Sequence, residues 1–519
     1  MNLPFETVFT MKRILKSPNT LWIAALIVVF AASFAYIFDP KLNFNGDNCY
    51  YFANATSLAN GDGYADMFGK PTNNFPPGYP LLMVPLRMLT DSIIAQKLLN
   101  GLFLLVGTLL LFSTMVRAGF KKNLAFLTSS AVLVTPHLLE FSTMMMSEAS
   151  CFCCIALVFW LYQGVLRREE EGASVWRMPQ FYLFLAALVF SYYIRTQALA
   201  LVVGFVLAML VKRRYAQSAA VLAALAAGYL PWMLRNASLG LGQSRYVSQI
   251  DFSNIFTNLK MLIVQAIPES VIPFFPVNYE KTPSVLLYII AFMMLAIILY
   301  GFWNTNKLRW PLFFYFCGTL GIIAIMDTPS QYRYVTTAIP FLTLGMFVGL
   351  WHLFSMVTKF SLGKNFSAWF LLVLFVPMTF QKSSGTGHTI GDLRLFATMK
   401  FPAHYENFFN IGKVIADFDP KGIVCSRKPE LLYAASGMRG VHYLETEDTD
   451  KMLRSMIDRK VDYVIFEQLG YSSTEYYLMP CIKMHPELFK VIGNLPNPDT
   501  YLFSFDRRKA MFWLLNKNK

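Results

Sequence analysis

Apolar runs separated by short polar and basic loops fill roughly the first 380 residues. About eleven of these runs approach the length of a membrane-crossing helix, which needs about 20 apolar residues for a hydrocarbon core of about 30 Å and fewer inside a bundle. They centre on Leu21 to Phe38, Ile93 to Met115, Leu124 to Thr135, Ala149 to Leu166, Phe181 to Ile194, Ala198 to Val211, Ala219 to Leu234, Val285 to Trp303, Trp310 to Ile325, Thr337 to Phe354, and Ala368 to Phe380. The pattern predicts a mainly α, polytopic transmembrane bundle of about 11 spans over 1–380.

Beyond about Gln381 the pattern changes. Glu406 to Phe418 reads as an amphipathic helix and Asp448 to Arg459 as a second one. Gly422 to Cys425, Val441 to Leu444, Val461 to Phe466 and Tyr501 to Phe505 read as strands. Strands alternating with helices predict a small α/β domain over 381–519. It carries no nucleotide-binding glycine motif, and His404, His442 and His485 lack ligand spacing, so it is assigned no chemistry of its own.

One polar stretch interrupts the apolar pattern early, within a first loop spanning 39–91. Asp47, Tyr50, Tyr51 and Asn54 fall at i, i+3, i+4 and i+7 of a predicted helix, so a carboxylate shares a face with two aromatics and an amide. That helix should stop near Asn60, where Gly61, Asp62 and Gly63 supply turn chemistry. Pro76, Pro77, Gly78 and Pro80 then delay regular structure until the next apolar run.

Composition strengthens the membrane reading. The 519 residues are 55% hydrophobic and 15% charged, more apolar than an ordinary soluble protein. The net charge of +14 does not imply nucleic acid, because the basic residues cluster at the ends of apolar runs, as at Lys12, Arg13 and Lys16. With a cytoplasmic N-terminus, the inner loops become Arg117 to Lys122, Arg167 to Arg177, Lys212 to Arg214, Asn304 to Arg309 and Lys359 to Lys364, all basic. An odd number of spans then puts the Asp47 loop and the C-terminal domain on the outer side of what would be a bacterial inner membrane. The first run lacks a small-residue cleavage pattern and reads as a retained span. The seven cysteines show no metal spacing; Cys425 and Cys481 are a possible pair if their region is extracytoplasmic.

The first loop resembles that of the GT-C glycosyltransferases that use a polyprenyl-phosphate sugar donor, particularly the bacterial relatives of protein mannosyltransferases and lipid A aminoarabinose transferases. The resemblance rests on an acidic residue after the first span, Asp47, then Tyr51, Ala55, Leu58, Gly61, Gly63 and Tyr64, then Pro76 to Leu82. It implies a membrane-embedded inverting glycosyltransferase with a polyprenyl-phosphate (undecaprenyl-phosphate) sugar donor and a protein, lipid or polysaccharide acceptor on the outer face. It requires no certain cofactor.

Such a reaction needs a base for the acceptor hydroxyl and something to meet the departing phosphate. Asp47 is the candidate base; the alternative for an Asp there is a helix cap. Glu148, in Ser147-Glu148-Ala149, is the second acid, since an acid at the edge of an apolar helix needs a cavity or a partner. His137 and Glu140 lie in the same predicted outer loop as Glu148, so they are the residues that would share a divalent cation with Asp47 or Glu148, although nothing in the spacing demands one. For the donor phosphate the candidates are Arg333, Arg235, Lys70 and Arg195. Arg195 stands where relatives have Thr-Arg-Pro, Arg235 closes Pro-Trp-x-x-Arg-Asn, and Arg333 and Tyr334 match an Arg-Tyr before a proline-containing helix. For each, the alternative is a side chain snorkelling to headgroups. Tyr50, Tyr51, Asn54, Tyr79 and Tyr334 are the candidates for lining the substrate. Other readings are a polymerase or ligase using a lipid diphosphate, or a transporter, for which paired broken helices and midplane charges are expected.

Overall fold

The computed structural model describes residues 19–44, 46–242, 245–272, 283–327, 331–358 and 389–517. They form two compact units. The first takes the described residues of Met1–Asp39, Asn73–Tyr79 and Lys97–Ala397; the second takes those of Pro40–Thr72, Pro80–Gln96 and Thr398–Lys519. The units are therefore interleaved along the chain, whereas the composition shift near residue 380 suggests a single cut.

The helices from Thr20 to Thr358 are α1 (Thr20–Ile37), α2 (Gly46–Ala59), α3 (Gly78–Arg87), α4 (Ile93–Arg117), α5 (Lys122–Leu133), α6 (Pro136–Ser142), α7 (Ser147–Glu170), α8 (Pro179–Ile194), α9 (Leu199–Val211), α10 (Tyr215–Ser238), α11 (Val285–Trp303), α12 (Arg309–Ala324) and α13 (Ile339–Thr358), with shorter turns between them. Ten of the predicted apolar runs fall here, and each is helical over most of its length. The last, Ala368 to Phe380, lies outside the described residues.

Against the expected count of about eleven spans, length and composition alone pick out six or seven among the described residues. Six are long and apolar enough to cross a membrane: α1, α4, α7, α10, α11 and Ile339–Met356 within α13. The pair α5 and α6, bent by 59°, makes a seventh if it is one broken span. Its break has a local cause: Thr135 precedes Pro136 and is extended at ψ 119°, because the proline ring disfavours helical backbone before it. Helices α8, α9 and α12 have 16, 13 and 16 residues, about 24, 20 and 24 Å at 1.5 Å per residue, short of a core of about 30 Å. Apolar pattern thus found the helices, while their lengths admit fewer of them as full spans.

Charges gather at one end of α7. Glu169 pairs with Arg214 at 2.5 Å, Glu170 pairs with Lys307, and Arg167 pairs with Glu171 at 3.0 Å. Residues from three of the basic loops therefore meet at this end. Elsewhere small residues let helices approach. A Cβ on Gly301 of α11 would overlap the Gly345 carbonyl of α13, and one on Gly349 would overlap the Ile297 carbonyl.

The second unit contains α2, most of α3 and the C-terminal residues. The latter form α14 (Ala403–Phe418), β1 (Val424–Ser426), α15 (Pro429–Ser436), β2 (Gly440–His442), α16 (Thr449–Asp458), β3 (Tyr463–Phe466), β4 (Phe489–Leu495), β5 (Thr500–Phe505) and α17 (Arg507–Lys517). The sheet order is β2-β1-β3-β5-β4. β1 is parallel to both β2 and β3, with α15 and α16 making the crossovers that parallel strands require; β5 pairs antiparallel with β3 and β4. Its core joins Met452, Leu453, Val464, Leu478 and Phe505 with Cys425 and Cys481. Both cysteines are free thiols rather than a disulfide. Arg87 fastens α3 to α2: it donates to Thr56 Oγ1 at 3.1 Å, and its guanidinium sits 4.2 Å from the Phe52 ring centre.

The α11–α13 crossing gives a first prediction. Gly301→Leu has no space without separating the two backbones, so it should lower stability by about 1–3 kcal/mol or more. Thermal unfolding in detergent measures this, and an unchanged midpoint would refute the close packing.

Candidate active site

In the first unit the site is built by a break in an apolar hairpin. Between α8 and the turn leading into α9, Arg195 is extended at φ −147° and ψ 129°. The interruption occurs without a proline, in Ile194-Arg195-Thr196-Gln197. It leaves Arg195 at a helix end, directed at the start of α7, where Ser147 and Glu148 occupy the first turn.

Glu148 has no solvent exposure, and one of its oxygens, Oε1, receives two guanidiniums. Arg195 Nη1 is 2.7 Å away and Arg333 Nε is 3.1 Å away, their side chains being 10% and 24% exposed. Arg195 Nη1 also donates to Ser147 Oγ at 3.0 Å. Glu148 Oε2 is buried without a hydrogen-bond partner among the described residues. A buried carboxylate survives in such surroundings because charge-assisted bonds replace water. Gln197 Nε2 donates to the Tyr334 carbonyl at 2.7 Å, tying the residue beside Arg333 to the turn after Arg195.

Two further contacts hold this cluster, and neither was read from the sequence. Asn100, fully buried in α4, places its amide nitrogen 3.0, 2.6 and 2.8 Å from the carbonyls of Phe141, Met144 and Met146. It thereby fixes the irregular segment that delivers Glu148. Gly78 abuts the other side of the break: a Cβ there would lie 2.6 Å from both the carbonyl carbon and oxygen of Tyr193. Only glycine allows that approach, which seats the next residue, Tyr79, at 1% exposure. Burial first, and then the Glu148 charge, push the Tyr79 phenol well above its ordinary value, so Tyr79 is a neutral hydroxyl.

Beside the cluster is a cavity of about 230 Å³, in which Arg195 and Tyr334 meet a wall of Leu199, Ile322, Ile325 and Met326. Arg235 belongs to different surroundings. Its guanidinium lies 4.8 Å from the Trp232 ring centre and donates to Asn236 Oδ1 at 2.9 Å.

In the second unit, Asp47 lies in the first turn of α2 and is half-buried. Tyr50 is half-buried, while Tyr51 and Asn54 are buried. Asn54 is occupied in bonding Tyr64 at 2.9 Å, so it shapes the following turn. Lys70 is exposed on a tight turn whose backbone N–H groups at Phe68 and Lys70 donate to Asp66 at 2.9 and 3.0 Å.

α15 packs beside the start of α2. The Glu430 carboxylate comes within reach of Gly46 and sits 3.5 Å from Lys428 Nζ and 3.4 Å from His442 Nε2. His442 Nδ1 is 3.1 Å from the Arg427 carbonyl. Cys49 is buried among these charges; burial and then Glu430 push its thiol well above the ordinary value. A segment assigned no chemistry from sequence thus supplies the charges around the Asp47 helix. The only local signal was Pro429 followed by an acid, a helix-start pattern.

Among the described residues, no group of three or more His, Cys, Asp or Glu side chains is arranged to hold a metal ion. His137 and Glu140, both on α6, do not form such a set with Glu148 or Asp47.

These geometries carry two predictions. Glu148→Ala should cost roughly 3–5 kcal/mol by stranding buried guanidiniums, and Arg195→Met in the same chain should restore part of it. If the double variant lost as much as the two single variants added together, the pair would not be coupled. For His442, burial outweighs Glu430 and lowers the pKa. The folded state then binds fewer protons than the unfolded state below about pH 6.5, so its contribution is complete above that pH and declines as pH falls towards the lowered value. Unfolding midpoints from about pH 7.5 to about pH 5.5 should fall less steeply in His442→Gln than in the parent; parallel slopes would refute the assignment.

No family model matches the chain, and no curated protein matches it by sequence. Solved structures do. ArnT from Cupriavidus metallidurans in the apo state superposes with a TM-score of 0.57 at 14% identity, covering 95% of this chain and 99% of that one. The same protein bound to undecaprenyl phosphate gives 0.57 at 15% identity, covering 93% and 97%. The oligosaccharyltransferase AglB from Archaeoglobus fulgidus, in complex with an inhibitory peptide and a dolichol-phosphate, gives 0.55 at 10% identity, covering 94% of this chain and 75% of that one. Identities this low speak to architecture alone, and on that ground the chain has the GT-C fold shared by these membrane glycosyltransferases.

Proposed function

We propose that the protein is an integral-membrane inverting glycosyltransferase that moves one sugar from a polyprenyl-phosphate donor to an acceptor hydroxyl on the outer face of the membrane. The observation that carries this reading is the buried arrangement of two guanidiniums around one carboxylate, with one of them, Arg195, lining a cavity that has an apolar wall. A lipid phosphate has the matching chemistry: an anionic head for Arg195 and Arg333, and a hydrocarbon tail for Leu199, Ile322, Ile325 and Met326. That solved proteins of this fold bind undecaprenyl phosphate and dolichol-phosphate supports the same donor class.

In the proposed reaction Asp47 accepts the proton of the acceptor hydroxyl as that oxygen attacks the anomeric carbon. The bond from that carbon to the phosphate oxygen breaks with inversion, and the electron pair leaves with the lipid phosphate. The charge that grows on the leaving oxygen is met by Arg333 and Arg195, which Glu148 holds in place, so no donor reorientation is needed as the bond breaks. Residues 398–517, which share a unit with Asp47, are proposed to help select the acceptor, be it protein, lipid or polysaccharide. Broken helices also occur in transporters, but the fold comparisons favour transfer.

The decisive assay incubates purified protein with labelled polyprenyl-phosphate sugars and follows release of the lipid phosphate. Asp47→Asn should fold normally and lose nearly all transfer; activity within a few fold of the parent would remove Asp47 as the base. Arg333→Ala should raise the donor KM more than it lowers stability, with Arg333→Lys intermediate. Unchanged donor affinity and turnover would leave Arg333 as an interfacial side chain.

A further inference from the structure

A second cavity of about 350 Å³ adjoins the first and differs from it in chemistry. Its wall includes Tyr192, Tyr193, Tyr229 and Trp232, with polar groups from Asn73 and Asn236; no Asp, Glu, Lys or Arg is among its described lining residues. Tyr192, Thr196, Tyr229 and Val247 line both cavities. A ligand whose anionic group meets Arg195 therefore has the group bonded to it at this shared aromatic wall. We propose that the second cavity holds the sugar of the donor, and that this sugar is uncharged; the inference rests on the transferase reading above.

The polar groups support a neutral ring. Asn73 donates through its amide nitrogen to the Gly242 carbonyl at 2.8 Å, which leaves its own oxygen as an acceptor. Asn236 accepts from Arg235 at 2.9 Å, which leaves its NH₂ as a donor. Sugar hydroxyls both donate and accept, so they match one amide of each polarity. Among the described lining residues an ammonium sugar finds no acidic partner for its donors and a uronic acid finds no cationic partner for its acceptors, so either would lose hydration with little in return there. The aromatic side chains suit the C–H faces of a pyranose, and the cavity lies at the small end of the ligand-pocket range of about 300–1,000 Å³. Arg235 acts on this wall indirectly, by stacking on Trp232 and fixing the Asn236 amide. It is a positioning residue for the sugar.

The test is a donor panel on the parent protein, using polyprenyl phosphates that carry glucose, mannose or galactose, 4-amino-4-deoxyarabinose, or galacturonic acid. At least one neutral donor should exceed both charged ones by about tenfold or more in kcat/KM. Equal or better use of a charged sugar would overturn the inference and leave the transferase reading standing. Turnover of none would overturn both. Trp232→Ala should raise the KM of the preferred donor by about tenfold while inhibition by sugar-free polyprenyl phosphate stays within about twofold, with Trp232→Phe near the parent. Equal weakening of both ligands would place the lipid chain in this cavity and overturn the inference. If the variant does not fold, the donor panel on the parent still decides.

Discussion

Everything in the first unit answers to one buried carboxylate. Taking Glu148 out of water in an apolar bundle is costly, and the cost is offset only if cations reach it with good geometry. Two do, from segments far apart in sequence, at 2.7 and 3.1 Å. For each to arrive, the chain must end a helix or start one at that depth: α8 stops at Ile194, and the helical turn Gln331–Val335 carries Arg333. The broken hairpin at Arg195 and the irregular segment between α6 and α7 are thus requirements of the cluster. Lipid offers irregular backbone no hydrogen-bond partner, and the Asn100 amide supplies one to the carbonyls of Phe141, Met144 and Met146.

That constraint explains which expectations from sequence survived. Apolar periodicity depends on neighbours a few positions away, so helix positions were legible over nearly all the described bundle. Helix lengths were less legible, because a short helix such as α9 and a long one such as α7 look alike in an apolar window, and the difference lies in what their ends meet. The acid at 148 was legible by the same reasoning that makes it costly. Its partners were harder to separate. Arg195 and Arg235 each close an apolar run and Arg333 precedes one, and only three-dimensional structure distinguishes the two that reach Glu148 from the one that stacks on Trp232. Lys70 was suggested by its place in the first loop, yet it stands exposed on a turn organised by Asp66.

Sequence missed the supporting polar groups for a physical reason. Asn100 is one amide within the apolar helix α4, and nothing nearby in sequence shows that the carbonyls of Phe141, Met144 and Met146 converge on it. The C-terminal strands β1, β2, β3 and β5 were found because each is short, apolar and bounded by turns. β4 was not, because its residues are mostly exposed and the pattern of burial that reveals a strand is weak at a sheet edge. Glu430 escaped notice and His442 was given no role, because their relation to the Asp47 helix depends on α15 packing beside α2, two helices from opposite ends of the chain.

This last case bears on how such chains divide. A boundary drawn where composition changes reports which residues meet lipid and which meet water; it says little about which residues pack together. Pro40–Thr72 and Pro80–Gln96 lie among the membrane-like residues in sequence, yet they belong to the same compact unit as Thr398–Lys519. The ties are specific: Glu430 beside Gly46, Phe44 stacked on Tyr405 with ring centres 3.8 Å apart, and Arg87 clasped to Thr56 and Phe52. The Asp47 helix therefore draws its packing from the end of the chain, and a change in the C-terminal α/β residues can alter the carboxylate's setting without touching it. Glu148 is set instead by the apolar helices. The two acids proposed for one reaction are stabilised by separate sets of contacts, so substitutions that loosen one need not loosen the other.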